Sequence, residues 1–194
     1  QTLMGFGLST AKSVSSFAVP TDRAAALEEA ELAVPGHEIP LREKQYEFVT
    51  SDIHSMAIIG GIGSGKTYSL DAFVAFKMAQ EAGTGTLGGI FANTYQQLEQ
   101  ATLPGLWAMF EAMGMESKID YVYNERPPRS WGDWPTRFKK HTNILSVRDW
   151  GQAVVRSVEN YDMLRGLEFG WVIGDEARDW SHEAFRVVVG RLRC

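Results

Sequence analysis

"AIIGGIGSGKTYSL", residues 57–70, passes from an apolar run through a glycine-rich turn into a helix-forming stretch. Its core, Gly60-Gly61-Ile62-Gly63-Ser64-Gly65-Lys66-Thr67, matches the pattern G-x-x-x-x-G-K-[ST]. Phosphate concentrates negative charge. Small residues let backbone N–H groups wrap it, and a following helix points its positive end at it. In such a loop Lys66 reaches the outer phosphates and the Thr67 hydroxyl ligates magnesium. The pattern needs a strand before it and a helix after it. "SMAIIG" (55–60) reads as a buried strand. Residues 66–82 read as a helix whose buried side is supplied by Leu70, Phe73, Val74 and Phe76.

The rest of the chain alternates in the same way. "LREKQYEFVTSD" (41–52) reads as a helix and "TLGGIFAN" as a strand. "TYQQLEQATLPGLWAMFEAMG" is a helical stretch that Pro104 kinks or restarts. "IDYVYNE", "NILSVRD", "QAVVRSVEN" and "FGWVIGDEA" read as strands, and "SHEAFRVVVGRLR" as a closing helix. Strands alternating with helices define an α/β fold with a central, mainly parallel sheet flanked by helices, of the P-loop NTPase type. The expected division is a flexible arm with a short acidic helix over 22–32 in residues 1–37, then a nucleotide-binding domain over 38–194.

Composition bounds the function. The 194 residues suit one substantial core, with 44% hydrophobic and 22% charged residues, as in ordinary globular protein. A net charge of −5 argues against a general nucleic-acid coat but leaves room for a local basic groove. The single cysteine, Cys194, excludes internal disulfides and multi-cysteine metal sites. No run approaches the roughly 20 apolar residues that span a bilayer, so no membrane partner is expected. The opening stretch lacks the basic start and continuous apolar middle of a signal peptide. A first residue other than Met and the abrupt end at "VVVGRLRC" read as a fragment.

Hydrolysis needs an acid for the magnesium shell and a base for water, both expected at a neighbouring strand's C-terminal end. "WVIGDEA" supplies adjacent Asp175 and Glu176. Asp175 is the candidate for the metal's shell and Glu176 for polarising water. Gly174 interrupts the aliphatic run, as if to let the strand lie close to the loop. The competing acid, Asp149, follows Arg148, which breaks its own apolar run. An acid followed by glutamate points to ATPases that extract mechanical work, with ATP and Mg2+ as ligands. No guanine-reading Asn-Lys-x-Asp stretch is present.

Together "PLREKQYEFV", "GGIGSGKT", "FANTYQQLEQATLPGL", "RSVENYDMLRGLEF" and "WVIGDEA" resemble, in order and spacing over about residues 38–193, the ATPase domain of phage terminase large subunits. That resemblance implies an ATP-driven motor moving double-stranded DNA into a procapsid in the host cytoplasm. It also implies a homo-oligomeric ring, with portal protein and small terminase subunit as partners. Gln45 corresponds to an adenine-reading glutamine, with Arg42 near the nucleotide. Arg165 corresponds to an arginine inserted into a neighbour's site. A downstream nuclease domain belongs to the family and is not in this chain, so no DNA cutting is expected. Among basic residues, Arg137, Lys139 and Lys140 in "WPTRFKKH" are candidate DNA contacts. Thr94 and Gln97 stand where helicase-like motors touch DNA, although an N-cap explains Thr94 equally. The alternatives are another DNA-dependent ATPase such as a helicase, and a non-catalytic nucleotide-binding module.

Overall fold

The computed structural model describes residues 29–34, 36–53, 55–61, 63–132, 134 and 137–193. β1 (Glu29–Val34) and β2 (His37–Arg42) form an antiparallel hairpin with Val34 opposite His37. Gly36, with φ 81°, turns the chain between them. The acidic helix expected over 22–32 is therefore not found at 29–32, and 22–28 lie outside the described residues. The reason is periodicity. Leu32, Val34, Ile39 and Leu41 recur every second residue along their strands, and all four are buried in the core that also holds α1 and α2. α1 (Glu43–Thr50) follows β2 directly, and α2 (Lys66–Gln80) follows the phosphate loop.

The main sheet has five strands in the order β4-β5-β6-β3-β7. These are β3 (Leu87–Ala92), β4 (Tyr121–Tyr123), β5 (Ile144–Val147), β6 (Gly151–Ser157) and β7 (Trp171–Gly174). β3 runs parallel to β6 on one side and to β7 on the other. The β4–β5–β6 half is antiparallel; for β5 and β6 the link of residues 148–150 is too short for a parallel crossover. The two faces of the sheet bury separate clusters. Ile90, Ala92, Ala153 and Val155 pack with α1, α2 and α4 (Leu103–Ala112). Phe91, Val154 and Phe169 pack with α5 (His182–Val189). Between β3 and α4 the chain turns through α3 (Tyr95–Gln97) and one π-helical turn, Leu98–Thr102. Pro104 is the second residue of α4, directly after the π-helical turn, so the helix runs on through a residue that has no N–H to give to the turn before it.

Two expectations are corrected. Residues 55–60 form no strand, and Ala57 and Ile59 are exposed, Ile59 at 93%. An apolar run becomes a strand only where a neighbour offers a hydrogen-bonding edge. Among the described residues 55–60 pairs with neither outer strand of the sheet, β4 or β7, and so makes no ladder. On α2, the fully buried stripe is Ala72, Val74, Ala75, Met78 and Ala79, while Leu70, Phe73 and Phe76 pack at its margin. Small residues bring the helix close to the sheet, and the large ones seal its flanks.

Gly88 shows how tight the centre is. A Cβ placed there would overlap Trp171 Cζ2, because the indole lies across β3 at its register partner. Gly88→Ala is expected to destabilise the fold by about 1–3 kcal/mol, read from urea denaturation. An unchanged midpoint would mean that the indole moves aside freely.

Candidate active site

The phosphate loop enters α2 through left-handed backbone, with Gly63 at φ 74° and Gly65, the helix N-cap, at φ 82°. Side chains resist that conformation, which explains both glycines. Lys66 Nζ donates to the carbonyls of Gly60 and Gly61, each at 2.9 Å. The ammonium is thus folded over its own loop. Thr67 is exposed on the first turn of α2. A methyl at Gly61 or Gly63 would meet nothing within 4 Å, whereas one at Gly60 would press on Ser64 Oγ at 2.6 Å. Ile62 lies outside the described residues. Unpaired N–H groups at the start of a 15-residue helix, beside an ammonium and open space, fit an anionic phosphate.

β7 delivers the acids. The Asp175 N–H donates to the Phe91 carbonyl at 2.8 Å, which carries the pairing with β3 past the end of the strand. Its Oδ2 accepts from Thr102 Oγ1 at 2.8 Å. Glu176 follows with φ 48° and ψ 42° and faces Arg178, Oε2 to Nε at 3.2 Å. At Gly174 the missing side chain makes room for an indole. The Trp180 indole covers it, and a Cβ there would lie 2.6 Å from Trp180 Cη2. The competing Asp149 sits in the β5–β6 turn at φ 64°, close to the first residue of β6. Since β3, β6 and β7 are parallel, that is the sheet edge opposite Asp175.

α2 and the acid meet through α4. At Gly105 a Cβ would lie 2.5 Å from Asp71 Oδ2 and 3.4 Å from Thr67 Cγ2. Asp71 and Thr67 therefore both face this glycine, three residues beyond the Thr102 that bonds Asp175. Asp71 is 3% exposed. Burial, reinforced by the charge of Asp175, pushes its carboxyl up to about 8. Asp71, Thr102 and Gly105 are not among the residues singled out from the sequence. Asp71 was accessible as the residue four beyond Thr67 on one helix face. Thr102 was not, because its partner lies 73 residues away.

Arg42 and Gln45 line a cleft of about 310 Å³ together with Pro40, Leu41, Gly63, Gly65 and Tyr68. Tyr68, also not singled out from the sequence, donates its hydroxyl to the Pro40 carbonyl at 3.0 Å. Arg165 caps a 3-10 turn, Tyr161–Leu164, that packs against α5 on the face opposite α2, and it pairs with Asp162 at 2.7 Å. Arg137, Lys139 and Lys140 are exposed, and the Arg137 N–H donates to Gln152 Oε1 at the start of β6. Thr94 caps α3, and Gln97 reaches back past it to Asn93. Thr94 Oγ1 accepts from the Gln97 N–H, and Gln97 Oε1 accepts from the Asn93 N–H. Among the described residues no three His, Cys, Asp or Glu side chains group as a metal cluster. None of the described helices is long and apolar enough to cross a membrane.

The fold thus defines a class: a mixed, largely parallel α/β sheet flanked by helices, of the terminase type. The large terminase from a thermophilic bacteriophage is similar, with TM-score 0.56, 17% identity and 78% of this chain covered. Another crystal form of that terminase gives TM-score 0.55 over 80% of this chain. Its complex with ADP gives TM-score 0.54 at 15% identity. The chain spans 36% of the length of those structures. No family model matches the sequence, and no curated protein does.

The Asp71 carboxyl makes stability depend on pH. Folding raises its pKa from 3.8 to about 8, so the neutral acid is the form the fold favours. Its contribution is complete below the unfolded value and is lost as pH rises through about 8. Asp71→Asn, which mimics the neutral acid, should therefore exceed the parental protein in stability at pH 8.5 by more than about 1 kcal/mol. The gap should shrink towards pH 5. Urea denaturation at the two pH values checks this, and a gap independent of pH would contradict it.

Proposed function

We propose that this chain is the ATP-hydrolysing motor domain of a DNA-packaging terminase large subunit. The observation that carries the reading is convergence. The phosphate-loop helix, through Thr67 and Asp71, and the strand-end acid Asp175, through Thr102, abut the same stretch of chain, residues 102–105. The terminase-like fold, with an ADP complex among its neighbours, supports it.

In this reading Lys66 exchanges the Gly60 and Gly61 carbonyls for phosphate oxygens, and α2 presents its N-terminal N–H groups to the same charge. Thr67 and Asp175 are the residues that would hold magnesium, and the ion would supply neutralisation of the charge developing on the phosphates. Thr102 fixes the Asp175 carboxylate by occupying Oδ2 and leaving Oδ1 free. Glu176 leaves Arg178 to accept a proton from water. Arg165 leaves Asp162 to serve a neighbouring subunit in a ring. The exposed Arg137, Lys139 and Lys140 offer contacts to double-stranded DNA. Portal protein, small terminase subunit and the host cytoplasm complete the proposed setting.

A second reading, a nucleotide-binding module without turnover, draws on one observation. Lys66 is bonded to its own loop, and the segment before that loop has no strand neighbour among the described residues. Turnover separates the two. Glu176→Gln should lower ATP hydrolysis about 10²- to 10⁴-fold with binding kept. Lys66→Ala should lose binding itself, as followed with a fluorescent ADP analogue. Hydrolysis by the Glu176 variant at the parental rate would move the base elsewhere. A parental protein that binds nucleotide without any turnover would favour the second reading.

A further inference from the structure

The resemblance assigns Gln45 to the adenine ring, and the geometry of its carboxamide points elsewhere. Gln45 lies in the first turn of α1, 9% exposed, and both ends of its amide are engaged. Oε1 accepts from the Arg42 N–H at 2.9 Å, the bond that starts the helix. Nε2 donates to the Gly65 carbonyl at 3.2 Å, across 20 residues of sequence. Contact with Gly65 is close enough that a Cβ there would lie 2.6 Å from Nε2. Gly65 is the left-handed N-cap of α2, and its carbonyl also accepts from the Ser69 N–H, the first bond of that helix, at 3.0 Å.

Reading the edge of a base needs an acceptor and a donor side by side in one plane. Here the backbone of β2 takes one lone pair of Oε1 and the backbone of the phosphate loop takes one hydrogen of Nε2, so the plane of the amide is fixed by the protein itself. From this we infer that Gln45 is a positioning residue for the phosphate loop, tying the hairpin and α1 to Gly65, and acts on phosphate binding irrespective of the base. The inference rests on the nucleotide reading of the site and changes what one residue does within it. The left-handed turn at Gly65 sets the direction of the N–H groups that follow it. A tether on its carbonyl therefore holds those donors in the orientation an anion needs, before any ligand arrives. Selection of the base then falls to the walls of the 310 Å³ cleft, where Tyr68 is fixed by its bond to Pro40.

The test compares three ligands that share phosphates and differ in base: ADP, GDP and inorganic tripolyphosphate, measured by calorimetry with magnesium. Gln45→Met keeps length and removes both hydrogen bonds. Gln45→Leu likewise removes both hydrogen bonds, with a shorter uncharged side chain that adds no repulsion to an anionic ligand. Thermal unfolding first establishes that each variant is folded, and the second stands in if the first is not. All three ligands should weaken by a common factor, about tenfold, as expected for loss of one positioning hydrogen bond to a charged-ligand site. The ADP-to-GDP ratio should stay at its parental value. Loss confined to ADP, with tripolyphosphate unchanged, would overturn the tether and return Gln45 to the base. So would parental affinity for all three. A parental protein that binds none of them removes the nucleotide reading itself, and the tether with it.

Discussion

β3 is the constraint from which the rest is built. All six of its residues are buried, and among the described residues it alone in the main sheet has a parallel neighbour on each side. Parallel pairing on both flanks aligns the C-terminal ends of β6, β3 and β7 along one edge. Val158 extends one ladder by bonding Ala92, and Asp175 extends the other by bonding Phe91. The position of the acid pair is therefore a consequence of main-chain register, set before any side chain is chosen. Gly88 and Gly89 belong to the same constraint, since larger residues would meet Trp171 and Val172 from the adjoining strand.

The phosphate loop is anchored differently. In the usual arrangement a buried strand delivers it, but here the preceding run is exposed and unpaired among the described residues. Its conformation rests on α2, whose small-residue stripe seats it against the sheet. It also rests on two local contacts, Lys66 with Gly60 and Gly61, and Gln45 with Gly65. The hairpin thus has a structural part in the site. It buries Leu32, Val34, Ile39 and Leu41 under α1 and α2, and so fixes where Gln45 stands.

Much of the fold is legible in the sequence, and the failures have identifiable physics. Apolar runs between turn residues mark β3, β5, β6 and β7, and helical spacing marks α2 and α5. Of the two acids weighed, Asp175 stands on the edge where the parallel strands end and Asp149 on the opposite one. Three things escape a linear reading. The acidic letters of "DRAAALEEAEL" suggest a helix, whereas the alternation of Leu32 and Val34 favours a strand once β2 is beside it. "SMAIIG" has strand composition, yet pairing is a property of neighbours and cannot be read from the segment alone. Gly105 against Asp71 and Thr102 against Asp175 are contacts between segments far apart in sequence, and no local pattern announces either pairing, even though Asp71 itself stands one helical turn beyond Thr67.

Glu176 sets local stability against everything else the position could serve. Of the five non-glycine residues with positive φ among those described, three are Asn or Asp, whose short side chains tolerate that backbone. Glutamate has no such tolerance, and holding it left-handed costs on the order of 1 kcal/mol. Folding alone would thus favour glycine or asparagine immediately after Asp175. A chain optimised only for melting temperature would lose its glutamate here, and under the role proposed for Glu176 a stabilisation scheme should hold this position fixed.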